Sequence, residues 1–158
     1  MEAEPTKPVT PGVFLTAAYG LLDTQERKLV IGSAGHPPLL CLRADGAVEQ
    51  IEHTGPALGL EPEAEFGEVE LTMAEGDRLL LYTDGVVEAT RATVGTADAE
   101  DAEMYGEPRL ERLLVEHAGA SSQEIVDRVF QAVKEFTGQA SQDDDITVLA
   151  LKFNPPGR

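Results

Sequence analysis

Two acidic clusters stand at the ends of apolar runs that have the length of β-strands. Asp84 and Gly85 follow the run "LLLYT", and Asp143, Asp144 and Asp145 precede the run "ITVLAL". An Asp-Gly pair after an apolar run is typical of a tight hairpin turn, because both residues tolerate a positive φ. The same pair can present a carboxylate at a strand end, where glycine leaves room for an ion and water. Both interpretations are open from these residues alone.

The two clusters meet if their strands are antiparallel neighbours in one sheet. The end of the first strand then lies beside the start of the second, so the carboxylates converge at one edge. Like charges within about 4 to 6 Å raise each other's pKa and disfavour the fold unless a cation neutralises them. Oxygen ligands of this kind suit a hard divalent ion, Mg²⁺ or Mn²⁺, that keeps several waters. A solvated acidic turn is the alternative interpretation of the second cluster.

The other candidates for chemistry are fewer. His36 in "SAGHPP" could be a ligand or a general acid, but a histidine in a turn bounded by Gly and Pro commonly hydrogen-bonds the local backbone. His117 lies on the apolar side of a helical pattern and is expected to be packed. The sequence contains no Ser/His/Asp order, phosphate-binding loop or zinc-ligand spacing of a known kind.

Strand-length apolar runs separated by short turns fill the first half of the chain. The runs are "VFLTAAYGLL", "KLVIGSA", "PLLCLR", "AVEQIE", "EVELTM" and "DRLLLYT". The short breaks between them favour antiparallel hairpins, so the first half is predicted to be a β-meander. The late run "DITVLALKF" is predicted to be a strand that pairs back into this sheet.

The second half changes to a helical period. The segment "EPRLERLLVEH" is predicted to be an amphipathic helix with Pro108 near its start. The segment "SSQEIVDRVFQAVKEFTG" has Ser121 and Glu124 in capping-box spacing and Gly138 as a C-terminal cap. Residues 88–105 are small and acidic and predict a mobile loop. Seven strands and two helices predict an α+β domain.

Composition limits the function classes. The chain has 158 residues, enough for one domain with a hydrophobic core. Its formal charge of −17 disfavours binding to nucleic acid or to an anionic membrane surface. The single cysteine, Cys41, is expected to be a buried thiol, which together with the lack of a signal sequence predicts a cytoplasmic protein. Residues 1–12 are predicted to be a disordered tail, with the domain covering residues 13–154.

Six segments taken together resemble a known family. The segments "FLTAAYGLLD", "KLVIGSAGHPPLL", "GPALGL", "GDRLLLYTDGVVEA", "YGEPRLERLL" and "DDDITVLAL" are similar in order and spacing to the later part of the SpoIIE-like branch of PPM-type (type 2C) metal-dependent protein serine/threonine phosphatases. The resemblance extends from about Phe14 to Leu151, and the motifs "AGHPP", "YTDGVVEA" and "DDIT" carry it jointly.

The resemblance implies an antiparallel β-sandwich flanked by helices, with a binuclear Mn²⁺ or Mg²⁺ centre at one end. It places metal ligands at Asp84 and Asp144 and gives Gly85 and Asp145 supporting roles. Such a centre performs metal-assisted hydrolysis of phosphoserine or phosphothreonine, with no covalent enzyme intermediate. The implied substrate is a phosphorylated regulatory protein such as an anti-sigma-factor antagonist.

The chain also departs from the family pattern. Relatives supply further metal ligands from an earlier "GD" motif, and about the first third of the family's domain has no counterpart here. Asp45-Gly46 and Gly76-Asp77 stand at the wrong place in the order to replace it. Asp84 and Asp144 are therefore expected to hold at most one ion, weakly. The missing segment is also expected to expose sheet edges and to favour self-association.

Three functions follow from these observations. The first is a SpoIIE-like protein phosphatase. The second is a catalytically incomplete phosphatase fragment that acts only through protein-protein contacts. The third, a β-rich module whose acidic loop binds calcium, has no motif that favours it.

Overall fold

Antiparallel strands and three helices make up the computed structural model, which describes residues 13–91, 103–138 and 144–155. The strands are β1 (Ala17–Asp23), β2 (Lys28–Ala34), β3 (Leu39–Leu42), β4 (Val48–Ile51), β5 (Val69–Thr72), β6 (Arg78–Tyr82), β7 (Thr90–Arg91), β8 (Glu103–Met104) and β9 (Val148–Lys152). The helices are α1 (Asp84–Val87), α2 (Glu107–Glu116) and α3 (Ser122–Thr137). The chain divides into two compact units, and each is described by itself.

The first unit contains a three-stranded sheet in the order β1-β2-β5, built from residues 13–36 and 52–72. Strands β1 and β2 form a hairpin whose turn is held by Asp23, since its Oδ1 accepts hydrogen bonds from the backbone N–H groups of Gln25 and Glu26. Alternate residues of β2, Leu29 and Ile31, are buried on one face. Every residue of β2 from Ile31 to Ala34 is buried, whereas nearly every residue of β1 is exposed, so the alternation holds only for the first part of β2.

The second unit contains a four-stranded antiparallel sheet in the order β4-β3-β6-β9, with α2 and α3 packed on it. One apolar cluster joins the sheet to the helices. Its buried members are Leu40, Leu42, Leu80, Tyr82, Val86, Val87, Tyr105, Leu110, Leu113, Leu114, Ile125, Val129 and Val133. Burial of this shared surface is the main force that holds the helices on the sheet.

The predicted elements are all present, and their α+β class is confirmed. Helix α3 begins with the predicted capping box between Ser121 and Glu124 and ends at Gly138, whose φ is 63°. Cys41 is fully buried, as expected. In the loop predicted between residues 88 and 105, β7 and β8 form a short ladder, while residues 92–102 lie outside the described part of the chain.

The predicted β-meander is wrong. Of the successive pairs among β1 to β6, only β1–β2 and β3–β4 are hairpins. The chain leaves β2 to build β3 and β4 in the other sheet, returns to pair β5 with β2, and then places β6 beside β3. The connections from β2 to β3 and from β5 to β6 are as short as hairpin turns although these strands do not pair, so turn length alone predicted the wrong neighbours.

Large apolar side chains remain exposed in the first unit and on β9. They are Val13, Phe14, Leu15, Tyr19, Leu21, Leu22, Leu58, Leu60 and Phe66, together with Leu149 and Leu151. Within the described sheets, β1, β5, β4 and β9 are edge strands. Self-association through such surfaces stays a prediction. None of the described helices is both long enough and apolar enough to cross a membrane.

Candidate metal centre

The two acidic segments lie side by side because β6 and β9 are antiparallel neighbours. Their ladder runs from Arg78 opposite Lys152 to Tyr82 opposite Val148. The end of β6 therefore adjoins the start of β9. Asp84 follows β6, and Asp144 and Asp145 precede β9. The condition on which the convergence of the carboxylates depended is therefore met.

The Asp-Gly pair begins a helical turn rather than a hairpin. Asp84–Val87 forms α1, in which the Glu88 backbone N–H donates to the Asp84 carbonyl at 2.8 Å. The hairpin interpretation is therefore wrong. Val86 and Val87 are buried in the apolar cluster, so they anchor the turn, while Asp84 is exposed.

Thr83 joins the two segments through its side chain and its backbone. Its backbone N–H donates to the Thr147 carbonyl at 3.1 Å. Its hydroxyl accepts from the Thr147 backbone N–H at 2.9 Å and donates to the Asp145 carbonyl at 2.9 Å. These three hydrogen bonds extend the contact between the segments beyond the last rung of the β6–β9 ladder.

Gly85 is the point of closest approach between the segments. A Cβ at this position would lie 2.5 Å from the Asp145 carbonyl oxygen and 3.3 Å from that of Asp144. The first distance is well inside van der Waals contact, so a side chain here would displace the backbone of the acidic segment. Glycine is required at this position by space, whereas its φ is not positive.

The carboxylates themselves are held by neighbouring amides. Asp84 Oδ1 accepts from the Gly85 N–H at 3.0 Å, and Asp144 Oδ1 accepts from the Asp145 N–H at 2.7 Å. A carboxylate has about four acceptor sites, and each of these bonds occupies one of them. Asp145 contributes its backbone to the contact, and Asp143 lies outside the described residues.

The donor set fits a hard cation in kind but is small in number. Both candidate ligands offer carboxylate oxygen, which is the donor that Mg²⁺ and Mn²⁺ prefer. In the described residues, no group of three or more His, Cys, Asp or Glu side chains is arranged to hold a metal. An ion held by Asp84 and Asp144 would therefore take most of its ligands from water.

The remaining sequence candidates lie elsewhere. Asp45 accepts a hydrogen bond from the Ala47 N–H within its own turn. Asp77 is buried and accepts from Arg43 Nη1 and from the N–H groups of Ala44 and Ala74, each at 2.9 Å. Both carboxylates therefore stabilise turns and are not part of the site at the ends of β6 and β9. His36 is half-buried in the first unit.

A charged cluster that the sequence did not indicate joins β7, β8 and α2. Glu103 on β8 pairs with Arg91 on β7 and with Arg109 on α2. The guanidinium carbons of Arg91 and Arg109 lie 4.7 and 4.9 Å from the ring centroid of Phe136. Hydrogen bonding from Arg91 is the main cause that lowers the pKa of Glu103, and Arg109 adds to it.

The second unit is a helix-covered antiparallel sheet with acidic residues at adjoining strand ends. The structure is similar to the "SiaA-PP2C domain of Pseudomonas aeruginosa", with a TM-score of 0.74. The match covers 88% of this chain and 52% of that one at 23% identity, so it establishes the fold alone. The expected fold class is thereby confirmed.

The chain belongs to the SpoIIE family. The family described as Stage II sporulation protein E (SpoIIE) matches residues 3–154. Protein IcfG of Synechocystis is 32% identical over 142 residues, which are 90% of this chain and 21% of IcfG. Phosphoserine phosphatase RsbU of Bacillus subtilis is 25% identical over 145 residues, which are 91% of this chain and 40% of RsbU.

The family resemblance predicted from the motifs is thus confirmed. The family consists of PP2C-type serine phosphatases, which are hydrolases, and PP2C proteins in general depend on Mn²⁺ or Mg²⁺. This chain spans between about a fifth and two fifths of the lengths of IcfG and RsbU.

Proposed function

We propose that this chain is a phosphatase domain that hydrolyses phosphoserine or phosphothreonine on a regulatory protein, with a divalent ion held by Asp84 and Asp144. The observation that carries the proposal is the contact between the two strand ends that bear these residues, in a chain of the SpoIIE family. Similarity to a phosphoserine phosphatase supports the type of phosphate ester.

The roles of the residues follow from where they lie. Asp84 and Asp144 are exposed, so an ion, its waters and a phosphate can reach them. Gly85 lets the segments approach, and Asp145 supports Asp144 through its backbone N–H. When bound, an ion of this class lowers the pKa of a coordinated water and stabilises charge on phosphate oxygens. The two carboxylates also repel each other less once a cation lies between them.

The second candidate is a catalytically incomplete phosphatase fragment that acts through protein contacts. One observation favours it: the described residues supply two carboxylates at this site rather than a group of three or more ligands. In this case the same two residues bind an ion weakly, or not at all, and no turnover follows.

The partner, location and boundaries belong to the same proposal. The substrate we favour is a phosphorylated signalling protein in the cytoplasm, such as an anti-sigma-factor antagonist. We place the domain at residues 13–154, whereas the family match begins ten residues earlier. We expect no nucleic-acid or membrane partner, because a charge of −17 opposes both.

The test is turnover of a serine phosphopeptide and of p-nitrophenyl phosphate by the purified chain with Mn²⁺ or Mg²⁺. Asp84→Asn and Asp144→Asn are each expected to lower kcat/KM at least about 100-fold, which corresponds to about 2.7 kcal/mol of lost stabilisation. Asp127→Asn on the exposed side of α3 is the matched control and should be neutral.

The outcomes separate the two candidates. Activity that persists in both site variants would contradict the assignment of Asp84 and Asp144. A folded chain that shows no turnover, but gains it when extended at its N-terminus, would support the incomplete fragment. Chelation by EDTA should abolish turnover and re-addition of Mn²⁺ should restore it.

A further inference from the structure

We propose that Thr83 is a positioning residue for the candidate metal centre: its hydroxyl holds the acidic segment against the end of β6 and so sets where Asp144 lies relative to Asp84. This inference rests on the proposed function and deepens it, because it assigns a role to a residue that is neither a ligand nor a supporting residue there. Its basis is the pattern of hydrogen bonds around Thr83.

Thr83 stands one rung beyond the β6–β9 ladder, directly opposite Thr147. In a hydrogen-bonded antiparallel pair, the two residues exchange both backbone N–H to carbonyl bonds. Here only one of these bonds is made, from the Thr83 N–H to the Thr147 carbonyl at 3.1 Å. The return bond from the Thr147 N–H goes to the Thr83 hydroxyl at 2.9 Å.

The hydroxyl replaces the carbonyl of Thr83 as acceptor because a helical turn follows. The Thr83 carbonyl accepts from the Val86 N–H at 3.0 Å, which helps to start α1. Because the Thr83 carbonyl accepts this bond within the helical turn, it does not accept the bond from the Thr147 N–H. The Thr83 hydroxyl accepts that bond instead. The side chain thus lets the chain turn at Asp84 while the neighbouring strand stays attached.

The same hydroxyl fixes a second point of the acidic segment. It donates to the Asp145 carbonyl at 2.9 Å, so one oxygen atom binds two backbone groups of residues 145–147. A Cβ on Gly85 would lie nearest to the same Asp145 carbonyl oxygen, at 2.5 Å. The backbone next to Asp144 is therefore held by the Thr83 hydroxyl, and glycine at position 85 leaves the room that this contact needs.

This arrangement matters because two carboxylates at one edge repel each other when no cation is present. When the two ligands are already held close together, ion binding is more favourable, because no free energy is needed to bring them together. Residues that orient metal ligands typically change affinity 10- to 100-fold when they are replaced. We expect an effect of that size from the loss of the Thr83 hydroxyl.

The experiment compares Thr83→Val with Thr83→Ser in the full chain. Valine keeps the β-branched shape and lacks the hydroxyl, whereas serine keeps the hydroxyl. Mn²⁺ affinity is measured by calorimetry or by the electron paramagnetic resonance of free Mn²⁺. Thr83→Val is expected to raise the Kd about 10- to 100-fold, and Thr83→Ser to stay within about threefold of the native chain. Thr24→Val, in the exposed β1–β2 turn, is the matched control.

A second measurement separates positioning from general stability. Thermal unfolding in EDTA gives the stability of each variant without metal, and hydrogen exchange of the Thr147 amide reports the bond to the hydroxyl. Faster exchange at Thr147 in Thr83→Val, with the rest of β9 still protected, supports the inference. If Thr83→Val does not fold, Thr83→Ala takes its place in the same comparison.

The outcomes of this experiment and of the test of function are distinct. An unchanged Mn²⁺ Kd in folded Thr83→Val, or equal losses in the Val and Ser variants, overturns the positioning role while leaving phosphatase activity intact. A native chain without turnover whose Mn²⁺ Kd still depends on the Thr83 hydroxyl overturns the proposed function alone. A native chain that binds no Mn²⁺ overturns both.

Discussion

Replacing Asp77 with alanine is expected to destabilise the second unit without touching the candidate metal centre. Asp77 is 1% exposed and accepts three hydrogen bonds, from Arg43 and from the N–H groups of Ala44 and Ala74. Its own backbone also holds the C-terminal strand end, since the Phe153 N–H donates to the Asp77 carbonyl at 2.8 Å. The side chain therefore joins the β5–β6 turn to the β3–β4 turn.

The expected loss in the free energy of unfolding follows from those three bonds. Ala44 and Ala74 are exposed residues, so their N–H groups can reach water after the change, and each lost bond costs about 1 kcal/mol. The charge-assisted bond from Arg43 contributes about 1.5 kcal/mol, because Arg43 keeps its second partner, Glu49. We therefore expect Asp77→Ala to lose about 3 to 4 kcal/mol.

Urea denaturation followed by circular dichroism measures this loss. With a slope of about 2 kcal/mol/M, the midpoint should fall by about 1.5 to 2 M. Asp77→Asn keeps one acceptor oxygen and should lose about half as much. Asp45→Ala is the control, since an exposed aspartate with one amide partner should change stability by less than about 1 kcal/mol.

Acidification gives a second readout with a definite sign. Burial alone would raise the pKa of Asp77, but hydrogen bonds from Ala74, Arg43 and Ala44 outweigh burial and lower it. A lowered pKa stabilises the fold above the unfolded value of about 3.9, and this contribution is lost as the pH falls through the folded value. The stability gap between the native chain and Asp77→Asn should therefore be constant near neutral pH and shrink below about pH 4.

Two results would refute this reasoning. One is a decrease in the free energy of unfolding below about 1 kcal/mol for Asp77→Ala, which would mean that the three hydrogen bonds contribute little net stability. The other is a difference in stability between the native chain and Asp77→Asn that grows on acidification, because a lowered pKa of Asp77 predicts that this difference shrinks.

Two further predictions concern α3 and the core. Ser121→Ala removes one half of the capping box with Glu124 and should lower stability by about 1 kcal/mol in urea denaturation, whereas Ser121→Thr should be nearly neutral. Burial raises the pKa of the Cys41 thiol to about 11, so its reaction with a thiol reagent at pH 8 should be slow in the native chain and fast in urea; equal rates would contradict this.

Local sequence signals predicted the elements well, because the forces behind them are local. The capping box and the apolar stripe of α3 lie within single helices, so their residue spacing carries the information. The order of strands is different, because β5 pairs with β2 and β6 with β3 only after long connections. Strands β7 and β8 have two residues each and are too short to show a period.

The site was predictable in part. The acidic clusters at opposite strand ends were expected to meet only if β6 and β9 were antiparallel neighbours, and the structure has this pairing. The Asp-Gly pair was ambiguous because the same two residues suit a hairpin turn and a carboxylate presented at a strand end, and neither interpretation included the helical turn that begins at Asp84. Thr83 was missed because its hydroxyl contacts a backbone N–H 64 residues away, and no short-range spacing marks such a bond.

The place of β9 at the sheet edge has a consequence for the proposed ion site. Strand β9 has one described neighbour, β6, and bears on its N-terminal side the segment with Asp144. An ion bound to Asp84 and Asp144 together would also hold β9 in place, and by thermodynamic reciprocity anything that loosens β9 would weaken such binding by the same free energy. Under the proposed function, fusions and truncations near Phe153 would therefore change ion affinity as well as the stability of the strand.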